Sequence, residues 1–464
     1  MTPNINFYVV DKWNQIAENV SANLTNNKNS SPHLFHYKIH EIHESKVITY
    51  IPTASIGEFY LITDQNLSPV MLAEVIKIEK NHLITLLPLG ATTKLSLQYR
   101  IESEPVSYKV AVGTHLKGKV LDGFGNILHE FVSSEEVNDD LEDHSEQICL
   151  NSELVVPVPF KRKIIDTTFV TGVKGIDLMT PCGVGQRLLV CAQPGVGKTT
   201  LINLIAQSAR MDIVIINLIG ERGREVNEFF DSLEESVKEK SIFIISTADR
   251  PNVEKVKSLF TSHIIAAWFR SKGYRVLLLV DSLTRFARAL RETSLSNGAI
   301  VVRNYTNIVF SVLPQVLEIA GTDEFGSITA LYTALFEGES LSNDPLIEEI
   351  KSITDGHLVL SRKIANSGRY PAISFLESIS RIVSQLATPH HLALIKKIIN
   401  VYNSYSEFEL LIKLGEYETG SNKEIDMVIQ QYQQLNNFFS QSVPGNYSTI
   451  EDLIKQLESS INLY

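Results

Sequence analysis

The feature that most constrains the fold is a set of five continuously apolar runs, each of strand length. They lie at residues 187–191, 213–219, 242–246, 276–280 and 328–336. Helical stretches alternate with these runs, and the clearest, at 252–272, has one apolar face and ends before Gly273. A strand that is apolar on both faces is buried on both faces, as in a parallel sheet covered by helices. The sequence therefore predicts an α/β domain built on a mostly parallel sheet.

Different patterns flank this α/β region. Short β-rich runs between residues 35 and 105, separated by turn-prone pieces, predict a small β-barrel. After residue 386 strand signals vanish, and helical spacing is seen at 391–403, 406–414, 422–438 and 448–461. The predicted domains are an N-terminal helix or flexible segment (1–30), the barrel (31–107), the α/β domain (108–385) and an α-helical C-terminal domain (386–464).

Two further segments have distinctive patterns: the N-terminal residues and an acidic stretch at 133–152. Apolar residues at positions 10, 13, 16, 17 and 20 have helical spacing. Such a helix either docks on its own domain or detaches to bind a partner or a membrane surface, and both interpretations stay open. The acidic stretch at 133–152 is typical of a solvated surface loop, and no function is assigned to it.

The composition narrows the class of protein. The chain has 464 residues, of which 44% are hydrophobic and 20% charged, as in ordinary soluble proteins. Its apolar runs are far shorter than the about 20 residues that span a bilayer. The chain opens with no secretory leader and its three cysteines form no CxxC pair, which indicates a reduced, cytoplasmic protein. The net charge of −11 argues against a nucleic-acid partner.

The segment QPGVGKTT at 193–200 lies between the first apolar run and an apolar helix. This is the context of a P-loop, in which backbone N–H groups and a helix N-terminus bind phosphate. Lys198 is predicted to contact the β and γ phosphates of ATP, and the Thr199 hydroxyl to ligate Mg²⁺. Ala192 replaces the glycine of the strict pattern, which is tolerable if its φ stays negative. The predicted nucleotide-binding residues of the loop are Pro194, Gly195, Val196, Gly197, Lys198, Thr199 and Thr200.

Two carboxylates follow apolar runs that should lie beside this loop. Asp281 directly follows the fourth run, where a P-loop site needs an acid near Mg²⁺; capping of the next helix is its alternative role. Glu221 follows Gly220 at the end of the second run, and the glycine permits a sharp turn that exposes the carboxylate. Hydrolysis needs a base within hydrogen-bond reach of the attacking water, and Glu221 is the candidate.

Arginines surround the predicted base. Arg222 is predicted to take part in catalysis, because Arg222 and Arg224 can hold Glu221 ionised, bridge to the phosphates or pair with Glu225. A purely structural ion network is the alternative.

The segment GERGREV at 220–226 resembles the catalytic-glutamate signature of the ATPases that energise type III protein secretion, flagellar and injectisome alike. These enzymes are relatives of the catalytic subunit of rotary ATP synthase. The resemblance covers about residues 108–440, and it reaches the β-rich region weakly and the first 30 residues hardly at all. Other matching segments, in family order, are TGVKGID (171–177), CGVGQR (182–187), DSLTRFA (281–287), GSITALYT (326–333), DGHLVLSR (355–362), YPAI (370–373) and LGEY (414–417).

The resemblance implies a β-barrel, a RecA-like ATPase domain and a helical C-terminal domain. It also implies roles for the residues just described. Glu221 polarises the lytic water, Lys198 and Thr199 bind phosphate and metal, and Asp281 completes the Mg²⁺ shell.

Two further residues gain roles from the resemblance alone. Tyr370 matches the aromatic residue that packs on adenine. Arg381, in SISR at 378–381, matches the arginine finger that one subunit inserts into the next subunit's site. Arg362 is the second candidate for that finger.

The resemblance further implies a homo-oligomer, expected to be a hexamer, on the cytoplasmic side of the inner membrane. Its expected partners are the central stalk and stator proteins, export substrates and their chaperones, and the membrane export gate. The N-terminal helix would bind the stator. One departure is NGAIVVR at 297–303, where the family has a proline- and glycine-rich loop. This departure should alter assembly or coupling, and not the chemistry.

Three rival interpretations each require a feature that the sequence does not favour. A catalytic subunit of a rotary ATPase is disfavoured by GERGREV and LGEY, which match the export branch. A hexameric RNA translocase needs a basic, aromatic-rich platform, which residues 35–105 lack. A non-catalytic subunit would have lost Lys198 or Glu221, and both are present.

Overall fold

The computed structural model of the chain describes residues 36–79, 81–131, 146–149, 156–295, 299–302, 304–336, 344–414, 416–418 and 420–461. The helix predicted within residues 1–30 and most of the acidic stretch at 133–152 lie outside these residues. In the described part of the chain, no helix is both long enough and apolar enough to cross a membrane.

Six antiparallel strands close a barrel, as the sequence predicts. Their order around it is β1-β2-β5-β4-β3-β6, with β6 pairing back to β1. In β4 the buried side chains alternate as Met71, Ala73 and Val75, which fill the interior. The strands are β1 (His36–Ile42), β2 (Val47–Tyr50), β3 (Phe59–Thr63), β4 (Pro69–Ile78), β5 (Leu83–Pro88) and β6 (Arg100–Glu102).

Six short strands follow the barrel in the sequence. They are β7 (Lys109–Val112), β8 (Lys119–Asp122), β9 (Ile127–Glu130), β10 (Glu146–Cys149), β11 (Thr168–Phe169) and β12 (Cys182–Gly183). Two of them, β8 and β9, belong to the central sheet. The prediction of a surface loop at 133–152 is wrong for residues 146–149, because they form β10, which pairs antiparallel with β7. The indole of Trp268 donates a hydrogen bond to Glu146 Oε2 at 3.1 Å. These two contacts with distant segments explain why an acidic stretch forms a strand.

The central sheet has the order β22-β21-β13-β20-β16-β14-β15-β8-β9, with β19 beside β20. All pairs from β21 to β8 are parallel, so the carboxyl ends of these strands meet at one edge. The remaining strands are β13 (Arg187–Ala192), β14 (Ile213–Ile219), β15 (Ser241–Ser246), β16 (Arg275–Asp281), β17 (Val301–Val302), β18 (Tyr305–Thr306), β19 (Gly321–Thr322), β20 (Ser327–Leu335), β21 (Gly356–Leu360) and β22 (Ile379–Ser380).

Helices cover both faces of this sheet. In β14, Val214 and Ile216 belong to one hydrophobic cluster, while Ile213 and Ile215 belong to the other. The strand is therefore buried on both faces, which is the reason for its continuous apolar sequence. The helices are α1 (Lys174–Met179), α2 (Lys198–Ser208), α3 (Gly223–Ser232), α4 (Glu235–Lys240), α5 (Asn252–Ser271), α6 (Leu283–Leu295), α7 (Asn307–Leu317), α8 (Pro345–Ile353), α9 (Arg362–Asn366), α10 (Val383–Leu386), α11 (Pro389–Leu414), α12 (Lys423–Phe439) and α13 (Ile450–Ser460).

The C-terminal segment is helical, as predicted, but two predicted helices are one. The stretches 391–403 and 406–414 are continuous in α11, because the residues between them include no glycine or proline. Tyr405 of α11 stacks on Tyr432 of α12 with ring centroids 3.5 Å apart. The fold class is thus confirmed, whereas the exact domain boundaries stay predictions.

Candidate active site

The phosphate loop joins the end of β13 to the start of α2. Gly195 and Gly197 have φ angles of +81° and +89°, in the left-handed region that glycine adopts without strain. Ala192, by contrast, is the last residue of β13 and pairs with strands on both sides. Its backbone is extended, so the methyl group in place of glycine is compatible with the loop.

The other predicted loop residues lie as the motif requires. Lys198 is the first residue of α2, and Thr199 and Thr200 follow in its first turn with exposed side chains. Val196 is 2% exposed and belongs to a hydrophobic cluster, so it anchors the loop to the core. The carbonyl of Pro194 accepts a hydrogen bond from outside the loop, described below.

Three charged side chains meet at the carboxyl edge of the sheet. Lys198 Nζ contacts Asp281 Oδ1 and lies 3.7 Å from Glu221 Oε1. Asp281 ends β16 and is 2% exposed, and Thr333 Oγ1 of β20 donates to its Oδ1 at 2.8 Å. The structure therefore brings together the lysine and both acids that the sequence singled out.

Arg285 holds the predicted base in place. Its Nη2 donates to Glu221 Oε2 at 3.0 Å, and its Nη1 donates to the carbonyl of Gly220 at 2.5 Å. Glu221 Oε1 is buried and has no hydrogen-bond partner among the described residues. One oxygen of the carboxylate is thus fixed by Arg285, and the other faces Lys198.

The electrostatic surroundings of Glu221 change its protonation. Burial, reinforced by the negative charge of Asp281, raises the pKa of Glu221 to about 7, against the attraction of Lys198 and Arg285. A carboxylate with a pKa near neutrality can both accept and release a proton under ordinary conditions. This pKa is compatible with the predicted role of Glu221 as a base.

Sequence reasoning assigned the neighbouring arginines differently. Arg222 is 79% exposed and pairs with Glu225 at 3.6 Å, and Arg224 is 88% exposed and pairs with Glu228 at 2.7 Å. Neither contacts Glu221 among the described residues, so the catalytic role of Arg222 stays a prediction. Arg285 was not identified from the sequence. This residue lies four positions after Asp281, in the first turn of α6, and so it lies at the same edge of the sheet as Asp281.

Tyr370 and Arg362 lie beside the phosphate loop of their own chain. A Cβ atom placed on Gly197 would lie 3.6 Å from the Tyr370 ring, and that side chain is 46% exposed. Arg362 Nη2 donates to the carbonyl of Pro194 at 3.0 Å. Arg362 therefore contacts its own site, which makes it a poor candidate for a finger inserted into a neighbour.

Arg381 lies at the opposite edge of the sheet. It follows β22, and its backbone N–H donates to the carbonyl of Asp355, just before β21 begins. Asp355 in turn pairs with Arg187 at the start of β13. The six residues of β13 separate this edge from the phosphate loop by roughly 20 Å. Arg381 is exposed and cannot reach the site of its own chain.

The donor set at the carboxyl edge fits Mg²⁺. Its candidates are oxygen atoms: the exposed hydroxyl of Thr199 and the carboxylate of Asp281. In the described part of the chain, no group of three or more His, Cys, Asp or Glu residues could hold a metal ion. Mg²⁺ commonly takes one or two protein oxygens and completes its shell with phosphates and water, so such a group is not needed.

Comparisons with known proteins agree with this geometry. The sequence profile of the ATP synthase alpha/beta family, nucleotide-binding domain, matches residues 172–380. The profile of the T3SS EscN ATPase C-terminal domain matches residues 387–459. Fold and site together define an ATP hydrolase of the ATP synthase alpha/beta class.

Relatives that match this chain over most of its length identify the family within that class. The chain is 37% identical to the flagellum-specific ATP synthase of Bacillus subtilis over 88% of its own length and 91% of the relative's. It is also 37% identical to the SPI-2 type 3 secretion system ATPase of Salmonella typhimurium, covering 87% and 90%. The assembled ATPase EscN of enteropathogenic E. coli matches with a TM-score of 0.81 and 37% identity, over 92% of this chain and all of that one. The chain belongs to the family of type III secretion and flagellar ATPases.

Proposed function

We propose that the chain is a ring-forming, Mg²⁺-dependent ATPase that energises type III protein export. The observation that carries this proposal is the division of the catalytic groups between two edges of the sheet. Lys198, Asp281 and Glu221 meet at the carboxyl edge, whereas Arg381 is exposed roughly 20 Å away at the other. A complete site then needs two copies of the chain.

The phosphate loop binds the substrate in this proposal. Its backbone N–H groups and Lys198 hold the phosphates of ATP, and Tyr370 packs against the adenine. Thr199 and Asp281 are the residues that hold Mg²⁺. When bound, the ion neutralises charge on the β and γ phosphates.

Glu221 acts on the attacking water. Its carboxylate accepts a proton from the water as the oxygen attacks the γ phosphorus, and ADP leaves with the broken bond's electron pair. Arg285 is the positioning residue, because it fixes one oxygen of the carboxylate and the turn that carries it. Arg222 is retained as a candidate for contacts with phosphate or with a neighbouring copy.

Arg381 completes the site of the adjacent copy. An arginine supplied in trans stabilises charge on the transferred phosphoryl group and contributes about 10³–10⁵ in rate. Contacts between different faces of identical chains close into rings when the rotation permits. The assembled state of EscN supports a homo-oligomer, and we take the ring to be a hexamer.

The partners follow from the same relatives. EscN has also been solved in complex with its central stalk EscO, and this chain matches that structure with a TM-score of 0.79 and 36% identity. We infer a central stalk partner here. A stator protein, export substrates and their chaperones are further proposed partners, and we expect no nucleic-acid partner. The site of action is the cytoplasm, at the periphery of the inner membrane beside the export gate.

The comparisons favour the export branch over a rotary catalytic subunit, because the C-terminal profile is that of an export ATPase. Whether the machine is a flagellum or an injectisome stays open, since both kinds of relative match equally well.

The proposal is tested by Mg²⁺-dependent ATP hydrolysis across a series of protein concentrations. Specific activity should rise with concentration, and Glu221→Gln, Lys198→Ala and Arg381→Ala should each abolish it. Flat specific activity together with an active Arg381→Ala variant would overturn the shared site. Export itself is tested by complementation of a strain that lacks its own export ATPase, where wild type should restore secretion and Glu221→Gln should not.

A further inference from the structure

A cavity lies between residues 361–377 on one side and helices α11 and α12 on the other. Its volume is about 580 Å³, which is within the range of cavities that bind small molecules. The phosphate loop at 193–200, which the structure describes in full, contributes no residue to its lining. This space, called here the aromatic cavity, is therefore separate from the ATP site.

Aromatic rings form much of the wall of the aromatic cavity. Tyr405 of α11 and Tyr432 of α12, which stack face to face, both line it. Phe375 and Tyr402 are buried and line it from deeper in the protein, with their rings edge to face and the centroids 5.3 Å apart. Rings of this kind offer a large apolar contact area in defined geometries. The wall therefore favours a ligand with a flat, apolar part.

A buried arginine lines the same cavity. Arg369 is 4% exposed, and its guanidinium lies over the Phe375 ring, 4.5 Å from the centroid. Nη1 donates to Tyr402 Oη at 2.9 Å and to Asn436 Oδ1 at 3.1 Å, and Nη2 donates to the carbonyl of Ile373. These bonds use three of the five N–H donors of the guanidinium. Nε is buried and has no hydrogen-bond partner in the part of the chain that the structure describes.

The positive charge of Arg369 is held by neutral groups. The acceptors that the described residues offer to it are a hydroxyl, a side-chain amide and a backbone carbonyl. Two carboxylates also line the aromatic cavity, but that of Glu409 pairs with Lys363 and that of Glu377 is exposed. Because solvent screens an exposed charge more strongly than a buried one, Arg369 dominates the field inside the cavity. An anionic oxygen is the ligand group that this field favours.

We propose that the aromatic cavity binds a small aromatic anion. The flat ring of the ligand packs among the tyrosines and Phe375, and its carboxylate, sulfonate or phosphate group pairs with Arg369. The inference goes beyond the proposed export function. It does not depend on assembly, since every residue that lines the cavity belongs to one chain.

The wall of the aromatic cavity continues into the ATP site. Arg362, the first residue of α9, donates to the carbonyl of Pro194 in the phosphate loop, and the next residue, Lys363, lines the cavity. Tyr370, the residue proposed to pack on adenine, directly follows Arg369. A ligand that bridges this wall to α11 and α12 holds α9 in one position, and so it acts on the ATP site. By linkage, nucleotide changes the affinity for the ligand by the same factor as the ligand changes the affinity for nucleotide.

The test uses two fluorescent probes, with Mg²⁺ and saturating ADP present to fill the ATP site. Anilinonaphthalene sulfonate is an aromatic anion, and N-phenylnaphthylamine has the same rings without the charge. Ser406→Phe fills the cavity from α11, where the exposed Ser406 hydroxyl donates to the carbonyl of Asn403 at 2.7 Å. Ser459→Phe is the matched control on α13, because the exposed Ser459 hydroxyl donates to the carbonyl of Gln456 at 2.9 Å and the residue lies outside the cavity. Arg369→Met removes the charge, and thermal unfolding checks that each variant is folded.

Wild type and Ser459→Phe should bind the anionic probe alike, and Ser406→Phe and Arg369→Met should bind it about tenfold more weakly. The neutral probe should lose affinity in Ser406→Phe and keep it in Arg369→Met. In assays without ADP, the anionic probe should slow ATP hydrolysis by wild type more than by Ser406→Phe. Equal binding by the two phenylalanine variants overturns the site, and an equal loss of both probes in folded Arg369→Met overturns its role in anion recognition. Probe binding that leaves hydrolysis unchanged overturns the coupling, whereas a wild type that hydrolyses no ATP overturns the proposed function and leaves the binding result standing.

Discussion

At the residue scale, Glu221 lies between opposing influences. Burial and the negative charge of Asp281 raise its pKa to about 7, whereas the positive charges of Lys198 and Arg285 act to lower it. A base must be ionised to accept a proton, so the protonation of this one carboxylate limits the free enzyme near neutral pH.

The first prediction is a pH dependence of kcat/KM. The activity should rise through about pH 7 and fall about tenfold per pH unit below it, because protonated Glu221 cannot act as a base. Steady-state hydrolysis across a pH series measures this. A profile that is flat through neutrality would show that Glu221 is not the titrating group.

The second prediction concerns Arg285. Arg285→Ala should lower kcat by roughly 10²-fold, because the carboxylate loses the bond that orients it. The acidic limb of the pH profile should also move to higher pH, since the lost positive charge no longer favours ionised Glu221. Arg224→Ala, which removes an exposed arginine paired with Glu228, is the control and should leave both quantities near wild type. An unshifted limb would reduce Arg285 to a structural role.

At the scale of elements, the turn after β14 decides where the base points. Gly220 has φ +68°, and a Cβ atom there would lie 3.0 Å from Arg285 Cδ. Gly223, three residues later, begins α3, and a Cβ atom there would meet nothing within 4 Å. The two glycines form a matched pair for substitution.

The third prediction uses this pair. Gly220→Ala should lower the free energy of unfolding by about 1–2 kcal/mol from left-handed strain and should also lower kcat by displacing Arg285. Gly223→Ala should leave the activity unchanged and the stability equal or slightly higher. Urea unfolding and hydrolysis assays measure both. Equal behaviour of the two variants would contradict the strained turn.

What the sequence could predict follows from how local each signal is. β14 was predicted with its observed bounds, and the phosphate loop with its flanking elements, because both are encoded in contiguous residues. Arg285 and β10 escaped prediction because their roles depend on partners distant in sequence, such as Glu221 and Trp268. The pairing of Arg222 with Glu225, three residues later, is one of the alternatives that the sequence offered.

At the scale of the whole molecule, the helical domain is tied to the ATPase domain by a buried carboxylate. Asp177 in α1 accepts from the Tyr447 hydroxyl at 2.7 Å, and also from Thr171 and Gly172. Burial raises the pKa of Asp177 to about 6 despite these bonds. Ionised Asp177 therefore depends on its donors, one of which comes from the C-terminal segment.

The fourth prediction removes that donor. Tyr447→Phe should lower the free energy of unfolding by about 1.5–3 kcal/mol, with the largest loss above the pKa of Asp177, where the carboxylate is ionised. Tyr50→Phe, an exposed tyrosine on the barrel, is the control and should change little. Urea denaturation on either side of pH 6 measures the difference, and a pH-independent loss would argue against Asp177 as the partner that matters.

The fifth and most direct measurement mixes two inactive proteins. Glu221→Gln keeps Arg381, and Arg381→Ala keeps Glu221, so mixed assemblies contain some interfaces with both groups intact. The account predicts that ATP hydrolysis appears on mixing, at a fraction of the wild-type rate, while each variant alone stays inactive. A mixture no more active than its components, under conditions where the two variants co-assemble, would contradict a site shared between neighbouring copies.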